Sequence, residues 1–419
     1  MQGGIARAPV RSAAERLGKD EMNGRNKKRG SVLIWLCLLV AAGMVAASVF
    51  TLSGTGRASG FSLAEETEES SQKIQIWTEE KESPAIVIRQ DTEGEAEEKG
   101  EEGENLEAAE EIHLAFGGDV YLSDHVLKAY QQGGIGGVLG ESLRRQAEAA
   151  DLFMVNEEFP FSLRGEPAPD KQYTFRLPPD KVSLFQEMGI DLVTLANNHG
   201  LDYGREALLD SLETLDSAGI AWVGAGENLD QAKAMKTFEI KGKTLGFLGA
   251  TRVIPVADWA ASSSRPGMLS AYDPSLLLEE IRKGKENCDF LVVYLHWGLE
   301  QKEMPEEYQR QMGRQCIEAG ADLVIGSHPH VLQGLEYYQG KPIVYSLGNY
   351  VFGSSIPRTV LLTAVLGEEG LSLQVIPATS SAGYTREITE ESRRQELFSY
   401  LESISFGVAV DEEGRISPS

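Results

Sequence analysis

The sequence predicts an α/β fold, a sandwich of mixed β-sheets flanked by helices, behind a single N-terminal transmembrane helix. Three observations predict it. An uncharged apolar run lies near the N-terminus, an acidic segment follows it, and from residue 112 onward short apolar runs alternate with segments of helical period. Short apolar runs between helical segments are typical of buried parallel strands.

The N-terminal part of the chain has the pattern of a membrane anchor. Residues 1–30 are polar and basic, whereas residues 31–52 carry no charged side chain. An apolar helix of this length would measure roughly 30 Å, the thickness of a bilayer's hydrocarbon core. Because Lys27, Lys28 and Arg29 precede it, the positive-inside rule places the first segment in the cytoplasm. We therefore expect a single-pass cell-membrane protein with an extracytoplasmic C-terminal domain; a cleaved secretory signal is the alternative.

Residues 53–111 are dominated by glutamate and predict a disordered acidic stalk. Such a segment buries too little apolar surface to offset the loss of chain entropy on folding. The stalk supplies much of the formal net charge of −25 over the 419 residues. Charge of this sign disfavours nucleic acid as a partner and suits a protein that stands off an anionic surface.

The rest of the chain divides into an α/β domain over residues 112–385 and a terminal helix with a tail over residues 386–419. The expected strands are 112–116, 152–155, 192–196, 290–295 and 323–325, and the expected helices are 205–218, 274–285, 305–319 and 389–404. Two antiparallel hairpins are expected within residues 236–249 and 360–376.

Polar residues follow the predicted strands in turn. In chain order they are Asp119; Asn156, Glu157 and Glu158; Asn198 and His199; His296; and His328 and His330. Ligands of open α/β sheets collect at the carboxyl ends of strands. Any one of these residues also suits a turn or a buried core position, but their recurrence at successive strand ends favours a metal site. A carboxylate shared by two cations, with imidazoles around it, is typical of sites that activate water for attack on phosphorus.

The spacing of the last two histidines carries its own prediction. Pro329 separates His328 from His330 and biases the segment toward extended backbone. Because side chains two apart on extended backbone lie on one face, we expect both rings to point to the same side.

Six segments resemble, in order, the motifs of the CapA capsule-synthesis family. They are FGGDV (116–120), VNEE (155–158), LANNHGLDYG (195–204), HWGLE (296–300), GSHPHV (326–331) and YSLGNYVF (345–352). The resemblance covers roughly residues 112–379 and implies the fold of the calcineurin-like metallophosphatase superfamily. Named members of the family serve production of a poly-γ-glutamate capsule.

The resemblance implies a divalent metal site with one or two ions of Mn, Fe or Zn. It places Asp119, Glu158 and His330 on one metal, and Glu158, Asn198, His296 and His328 on the other. It makes His199 the proton donor to the leaving group, with Asn156 and Glu300 as nearby supports. Tyr121 stands where the superfamily usually has histidine, so a site with a single metal remains open.

The implied activity is that of a metal-dependent, phosphoesterase-like hydrolase in synthesis, export or remodelling of capsule or poly-γ-glutamate. Synthase subunits and the anionic polymer are the implied partners. The alternative is a non-catalytic subunit that binds polymer or scaffolds the synthase and carries a vestigial metal site.

Overall fold

The computed structural model describes residues 110–419, which form two large β-sheets with helices on their outer faces. The predicted class of mixed sheets flanked by helices is thereby confirmed. The predicted cytoplasmic segment, the transmembrane anchor and nearly all of the stalk lie outside these residues. Within residues 110–419, no helix combines the length and apolarity needed to cross a membrane.

The larger sheet has ten strands. They are β1 (Ile112–Val120), β2 (Leu152–Glu157), β3 (Leu192–Thr194), β4 (Ala221–Val223), β13 (Asn349–Val351), β14 (Ser355–Gly367), β15 (Gly370–Ser381), β16 (Tyr384–Glu387), β17 (Val408–Val410) and β18 (Arg415–Pro418). Their order is β17-β18-β15-β14-β1-β2-β3-β4, and β13 pairs with β1 and β16 with β15. Strands β1 to β4 are parallel, whereas β14 and β15 form a long antiparallel hairpin beside β1.

The smaller sheet has six strands in the order β11-β12-β10-β9-β7-β6. They are β6 (Lys236–Ile240), β7 (Lys243–Thr251), β9 (Phe290–His296), β10 (Leu323–Ser327), β11 (Leu332–Tyr338) and β12 (Lys341–Leu347). The four central strands are parallel, and β6 and β11 close the two edges as antiparallel hairpin partners. A further short pair joins β5 (Ala225–Gly226) to β8 (Gly267–Met268).

Helices cover the outer faces of both sheets. They are α1 (Asp124–Gly133), α2 (Glu141–Ala149), α3 (Ser183–Glu187), α4 (Gly204–Ala218), α5 (Leu229–Ala232), α6 (Ser275–Lys285), α7 (Glu307–Ala319) and α8 (Glu391–Ser403). Three short 3₁₀ turns lie at Gly134–Gly137, Pro179–Val182 and Ala257–Trp259. The glycine-rich segment after α1 is therefore a helical turn.

Side chains alternate along the central strands, so each strand contributes to two layers of core. On β9, Val292 and Tyr294 pack between the two sheets, whereas Leu291 and Val293 pack under α6 and α7. On β1, Phe116 likewise points between the sheets. This two-sided burial explains why these strands are continuously apolar in sequence.

The strands, helices and hairpins expected from the sequence are present, with end points that differ by a few residues. The strands β11, β12, β13 and β16 were not predicted. The C-terminal tail also contains structure that was not expected, because β18 pairs with β15 and extends the larger sheet. β13 and β16 are too short to show hydrophobic periodicity. β11 and β12 were missed although each has seven residues and is mostly buried.

Candidate metal centre

Parallel pairing of β1 with β2 brings the first two polar motifs side by side. Asp119 lies opposite Asn156 in the register of the two strands. The Asn156 amide donates to Asp119 Oδ1 at 2.8 Å, and its nitrogen lies 3.3 Å from His296 Nδ1. Asn156 therefore links the end of the larger sheet to the end of β9 in the smaller sheet, as a buried support for both side chains.

The glycines before Asp119 allow the close approach of two backbones. A Cβ atom on Gly118 would lie 1.8 Å from the carbonyl oxygen of Gly348. The Asp119 amide donates to that same carbonyl at 2.8 Å. Gly118 is thus required by packing against the loop before β13, and this contact sets the position of the Asp119 carboxylate.

The two adjacent glutamates after β2 point in different directions. Glu158 Oε1 lies 3.6 Å from His296 Nε2, and its Oε2 lies 3.8 Å from His330 Nδ1. The Glu157 carboxylate points elsewhere and accepts a hydrogen bond from Ser211 at 3.4 Å. Glu158 is therefore the glutamate of the cluster, as the resemblance implied.

The prediction of extended backbone at the His-Pro-His segment is wrong. His328 and His330 both have left-handed backbone, with φ values of 102° and 58°. The bend brings the His328 amide to 3.4 Å from Asp119 Oδ2. Both rings still reach the cluster, with centroids 6.0 Å apart, because a turn and not strand alternation directs them. Left-handed backbone is unfavourable for residues with a side chain, and such strain is concentrated at functional sites.

The structure brings all six predicted ligands to one place between the two sheets. Ligand atoms of Asp119, Glu158 and His296 lie within 4.8 Å of one another, and so do those of Glu158, His328 and His330. Asn198 joins the cluster through its Oδ1, which lies 2.7 Å from His296 Nε2. Glu158 belongs to both groups, so its carboxylate has the position of a bridge.

The residues present fit a divalent cation. Both carboxylate oxygens of Glu158 and the Nδ1 atom of His328 are buried, and none of them has a hydrogen-bond partner within residues 110–419. Buried polar atoms without partners are costly, so their convergence points to an ion that binds them. Carboxylate, amide oxygen and imidazole together suit Mn, Fe or Zn.

The electrostatics of the cluster favour a cation as well. Burial, reinforced by Asp119, holds the pKa of Glu158 well above its ordinary value. Burial lowers the pKa of His330, but the Glu158 and Asp119 carboxylates outweigh it and raise that pKa to about 10. Both raised pKa values mean that Glu158 and His330 bind protons more readily than usual, because positive charge stabilises the cluster. A metal ion would supply that positive charge and compete with these protons.

Two other imidazoles of the cluster are in the form that binds metals. Burial, with His328 as a further cause, lowers the pKa of His296 well below its ordinary value. Burial and His330 lower the pKa of His328 to about 3. Both rings are neutral at physiological pH and keep a lone pair for a ligand bond.

His199 lies beside the cluster in a defined setting. Its Nδ1 atom lies 2.6 Å from Asp202 Oδ2 and 3.0 Å from Lys171 Nζ. Its ring stacks on Phe175 at a centroid distance of 4.2 Å, and Phe175 stacks in turn on Tyr121 at 4.0 Å. Burial lowers the pKa of His199, whereas Asp202 opposes this shift. With Nδ1 occupied, Nε2 is the nitrogen left for proton transfer.

A cavity of about 570 Å³ opens next to the cluster, with Asn198 and His328 in its wall. Glu300 lines the same cavity and is exposed. Its carboxylate thus lies further out than the six ligands, although it is close enough to raise the pKa of Glu158. Cavities of this size accept small molecules or short polymer segments.

Comparison with known proteins gives the affiliation of the chain. Residues 113–354 match the family described as "Bacterial capsule synthesis protein PGA_cap". The chain belongs to this family. The match includes all the motifs quoted above, and the resemblance predicted from them is confirmed.

Two relatives of the chain are capsule biosynthesis proteins of Bacillus species. The "PGA biosynthesis protein CapA" of Bacillus subtilis (strain 168) is 34% identical over 250 residues, which are 59% of this chain and 65% of that protein. The "Capsule biosynthesis protein CapA" of Bacillus anthracis is 31% identical over 303 residues, which are 70% of this chain and 73% of that protein. The chain thus spans slightly less than two thirds of the first relative.

Among solved structures, the NAD nucleotidase of Haemophilus influenzae matches with a TM-score of 0.39 and 14% sequence identity. The match covers 71% of this chain and 57% of that one. A likeness of this degree is too low to transfer an activity.

Several residues around the site of this family member were not predicted. Asp202 follows His199 within the same motif, so its spacing was a usable signal. Lys171 and Phe175 come from the loop between β2 and α3, where the sequence has no regular pattern. Asn349, which lies 2.8 Å from His330 Nδ1, is in the last of the quoted motifs but was given no role.

Proposed function

We propose that the protein is a membrane-anchored, extracytoplasmic hydrolase that acts in synthesis, export or remodelling of capsule or poly-γ-glutamate. The family and the names of its relatives support a role in capsule or poly-γ-glutamate synthesis. The observation that supports hydrolysis is the buried cluster of carboxylates and imidazoles with unpartnered atoms, beside His199 and an open cavity. The predicted helix at residues 31–52 would hold the domain at the outer surface.

In this proposal each part of the site has a defined task. Asp119, Glu158, Asn198, His296, His328 and His330 would hold one or two divalent cations. A bound cation supplies Lewis-acid stabilisation of charge that develops on the scissile phosphoryl or acyl group. Water attacks the ester or amide, the bond to the leaving group breaks, and His199 donates the proton that the leaving group needs.

Asp202 and Lys171 prepare His199 for that step. Asp202 Oδ2 orients the ring through Nδ1, and its negative charge stabilises the protonated imidazole. Lys171 pairs with Asp202 and also lies near the Asn198 carbonyl, so one side chain connects the proton donor to the metal cluster. Phe175 keeps the ring plane in place by stacking.

The test of the proposal is metal-dependent hydrolysis by the full chain. The protein is stripped with a chelator and reloaded with Mn²⁺, Zn²⁺ or Fe²⁺, and cleavage of bis-p-nitrophenyl phosphate and of γ-glutamyl oligomers is measured. His199→Ala is expected to abolish cleavage of the γ-glutamyl oligomers, whose leaving group needs a proton, and to slow cleavage of bis-p-nitrophenyl phosphate much less, without loss of bound metal. The exposed His125→Ala variant is expected to resemble wild type. Absence of cleavage with every metal, or equal cleavage with and without metal, would refute metal-dependent hydrolysis. Unchanged cleavage of the γ-glutamyl oligomers in His199→Ala would refute the role of His199 as proton donor.

One observation favours a second candidate, a non-catalytic subunit that binds polymer or synthase. Tyr121 packs on Phe175 where the superfamily usually has a metal-binding histidine, so one of the two predicted metal sites has fewer ligands. Capture of synthase subunits that persists in His199→Ala, together with absent hydrolysis under every metal, supports this candidate. Loss of capture after metal removal would instead show that binding of the partner requires the metal cluster.

A further inference from the structure

Among residues 110–419, the wall of the cavity beside the metal cluster has one formally positive side chain. Its lining combines two of the predicted ligands with aromatic, aliphatic and acidic side chains, and Arg252 is the cation among them. Arg252 follows β7 directly, and its backbone amide donates to the His296 carbonyl at 2.8 Å. The arginine is thus attached to the strand end that carries a predicted metal ligand.

Aromatic rings contact the guanidinium of Arg252. Its central carbon lies 3.8 Å from the centre of the Tyr308 ring and 5.9 Å from that of Tyr272. The Tyr308 hydroxyl accepts a hydrogen bond from the Gly298 amide at 2.7 Å, which fixes the ring under the arginine. Within residues 110–419, no carboxylate pairs with this guanidinium. Its N–H donors remain available to a ligand.

Stacking of this kind suits recognition of an oxyanion. A guanidinium placed over an aromatic ring, with no carboxylate partner, keeps N–H donors free for paired hydrogen bonds to a planar carboxylate. The cation also has an electrostatic task, since the chain carries a formal net charge of −25 and would repel an anionic polymer. The positive charge of Arg252 next to the cluster reduces this repulsion at the point where the substrate must enter.

We propose that Arg252 is a specificity-determining residue that binds a free carboxylate of a γ-glutamyl polymer, next to the unit held at the metal cluster. The inference rests on the proposed function, because it assigns the substrate class of the same site. Tyr272 and Tyr308 act as positioning residues for the guanidinium. The unit bound at Asn198 and His328 would then have its neighbour's carboxylate at Arg252, within one cavity.

The experiment measures binding and not turnover, so it is independent of whether the protein hydrolyses the polymer. The full chain, loaded with Mn²⁺, is titrated against a fluorescent γ-glutamyl tetramer and against the same tetramer with its free carboxylates converted to amides. Fluorescence anisotropy gives both dissociation constants for wild type, Arg252→Gln and Arg252→Lys. Arg145→Gln is the matched control, since its exposed side chain lies on α2 and pairs only loosely with Glu141 at 3.8 Å.

Wild type is expected to bind the acidic tetramer about tenfold or more tightly than the amide, the range of a hydrogen bond to a charged group. Arg252→Gln should lose this preference, Arg252→Lys should keep part of it, and Arg145→Gln should keep all of it. Equal affinity of wild type for the two tetramers, or an unchanged preference in Arg252→Gln, would overturn the proposal. Arg252→Lys preserves the charge and serves as the informative variant should Arg252→Gln fold poorly.

Failure of hydrolysis and failure of this inference are distinguishable. If metal-dependent cleavage is absent but the preference for carboxylates is intact, the hydrolase is refuted and Arg252 is still a binding residue. Intact cleavage of γ-glutamyl bonds with no effect of Arg252→Gln on affinity would support the hydrolase and refute the role of Arg252.

Discussion

Asp202 Oδ2 lies 2.6 Å from His199 Nδ1, and the two residues belong to one motif. Asp202 is fully buried and also pairs with Lys171, while its Oδ2 accepts from the Phe175 amide at 2.7 Å. The carboxylate is therefore fixed from three sides. A rigid acceptor at Nδ1 determines both the tautomer and the orientation of the imidazole.

Substitution Asp202→Asn should impair proton donation without disturbing the metal cluster. The expected loss in kcat is on the order of 10²-fold, within the contribution of general acid catalysis, for substrates whose leaving group needs a proton. A p-nitrophenyl ester, with its stable leaving group, should be affected much less. The measurement is steady-state kinetics on both substrate types with elemental analysis of bound metal. Asp230→Asn, at a side chain that is 88% exposed, is the control. Equal losses on both substrates would contradict the assigned role.

Metal binding should distinguish the two adjacent glutamates. Glu158→Gln removes a charge from the shared position and is expected to weaken Mn²⁺ binding about tenfold or more, since even indirect supports of metal ligands contribute this much. Glu157→Gln is the matched control, because it changes an equally buried neighbour that contacts Ser211. Isothermal titration with Mn²⁺ measures both. A larger loss in Glu157→Gln than in Glu158→Gln would show that the cluster is wrongly assigned.

A buried ion pair away from the site should make stability depend on acid pH. Burial raises the pKa of Glu336, but hydrogen bonds from Tyr345, Arg310 and Arg314 outweigh it and hold the pKa below its ordinary value of 4.5. A depressed pKa in the folded state means that this stability is fully present above pH 4.5 and is lost as pH falls through the lowered pKa.

Glu336→Gln should therefore lower the free energy of unfolding at neutral pH by about 1–3 kcal/mol, the cost of breaking charged hydrogen bonds. The difference from wild type should shrink as the pH falls below 4.5. Urea unfolding of both proteins at a series of pH values measures this difference in the free energy of unfolding. Glu141→Gln, in an exposed pair with Arg145, should cost below about 1 kcal/mol throughout. A difference for Glu336→Gln that grows toward acid pH would have the wrong sign.

Close packing at Gly118 predicts a strong effect of a single methyl group. In Gly118→Ala the new Cβ would lie 1.8 Å from the Gly348 carbonyl oxygen, so one backbone must move. The expected cost is about 1–3 kcal/mol of overpacking, with weaker metal binding because Asp119 moves too. Thermal unfolding and Mn²⁺ titration measure the two effects. Gly136→Ala is the control, since a Cβ there meets no atom within 4 Å. Similar unfolding temperatures for the two variants would refute the packing argument.

The sequence was informative where a buried strand ends in a polar motif. Asp119, Asn198 and His296 were placed at strand ends, and the structure has each of them there. Hydrophobic runs report burial directly, so the strand before each motif could be recognised from its composition. The unexpected pairing of β18 with β15 lacked such a signal, because the strand is short and mostly exposed.

Directions of side chains were less predictable than their positions along the chain. The strand pattern offered Glu157 and Glu158 equally, and the family resemblance alone selected Glu158. Which of them faces the cluster depends on the end of β2 and on its register with β1. His328 and His330 were expected on extended backbone, but the turn that they occupy is stabilised by contacts to Asp119 and Asn349 from distant parts of the chain. Local pattern contains no information about such partners.

By itself the sequence determined the α/β class, the family and the residue types that could bind a metal, because local hydrophobic periodicity and contiguous motifs specify these. Only the tertiary structure decided that carboxylates from the larger sheet meet histidines from the smaller one and that Lys171 and Asp202 hold His199. It also decided that Arg252 lies over Tyr308 with no acidic partner among residues 110–419. Each of these depends on how two sheets and their loops pack, and packing joins residues far apart in the chain through many weak contacts that no local segment encodes.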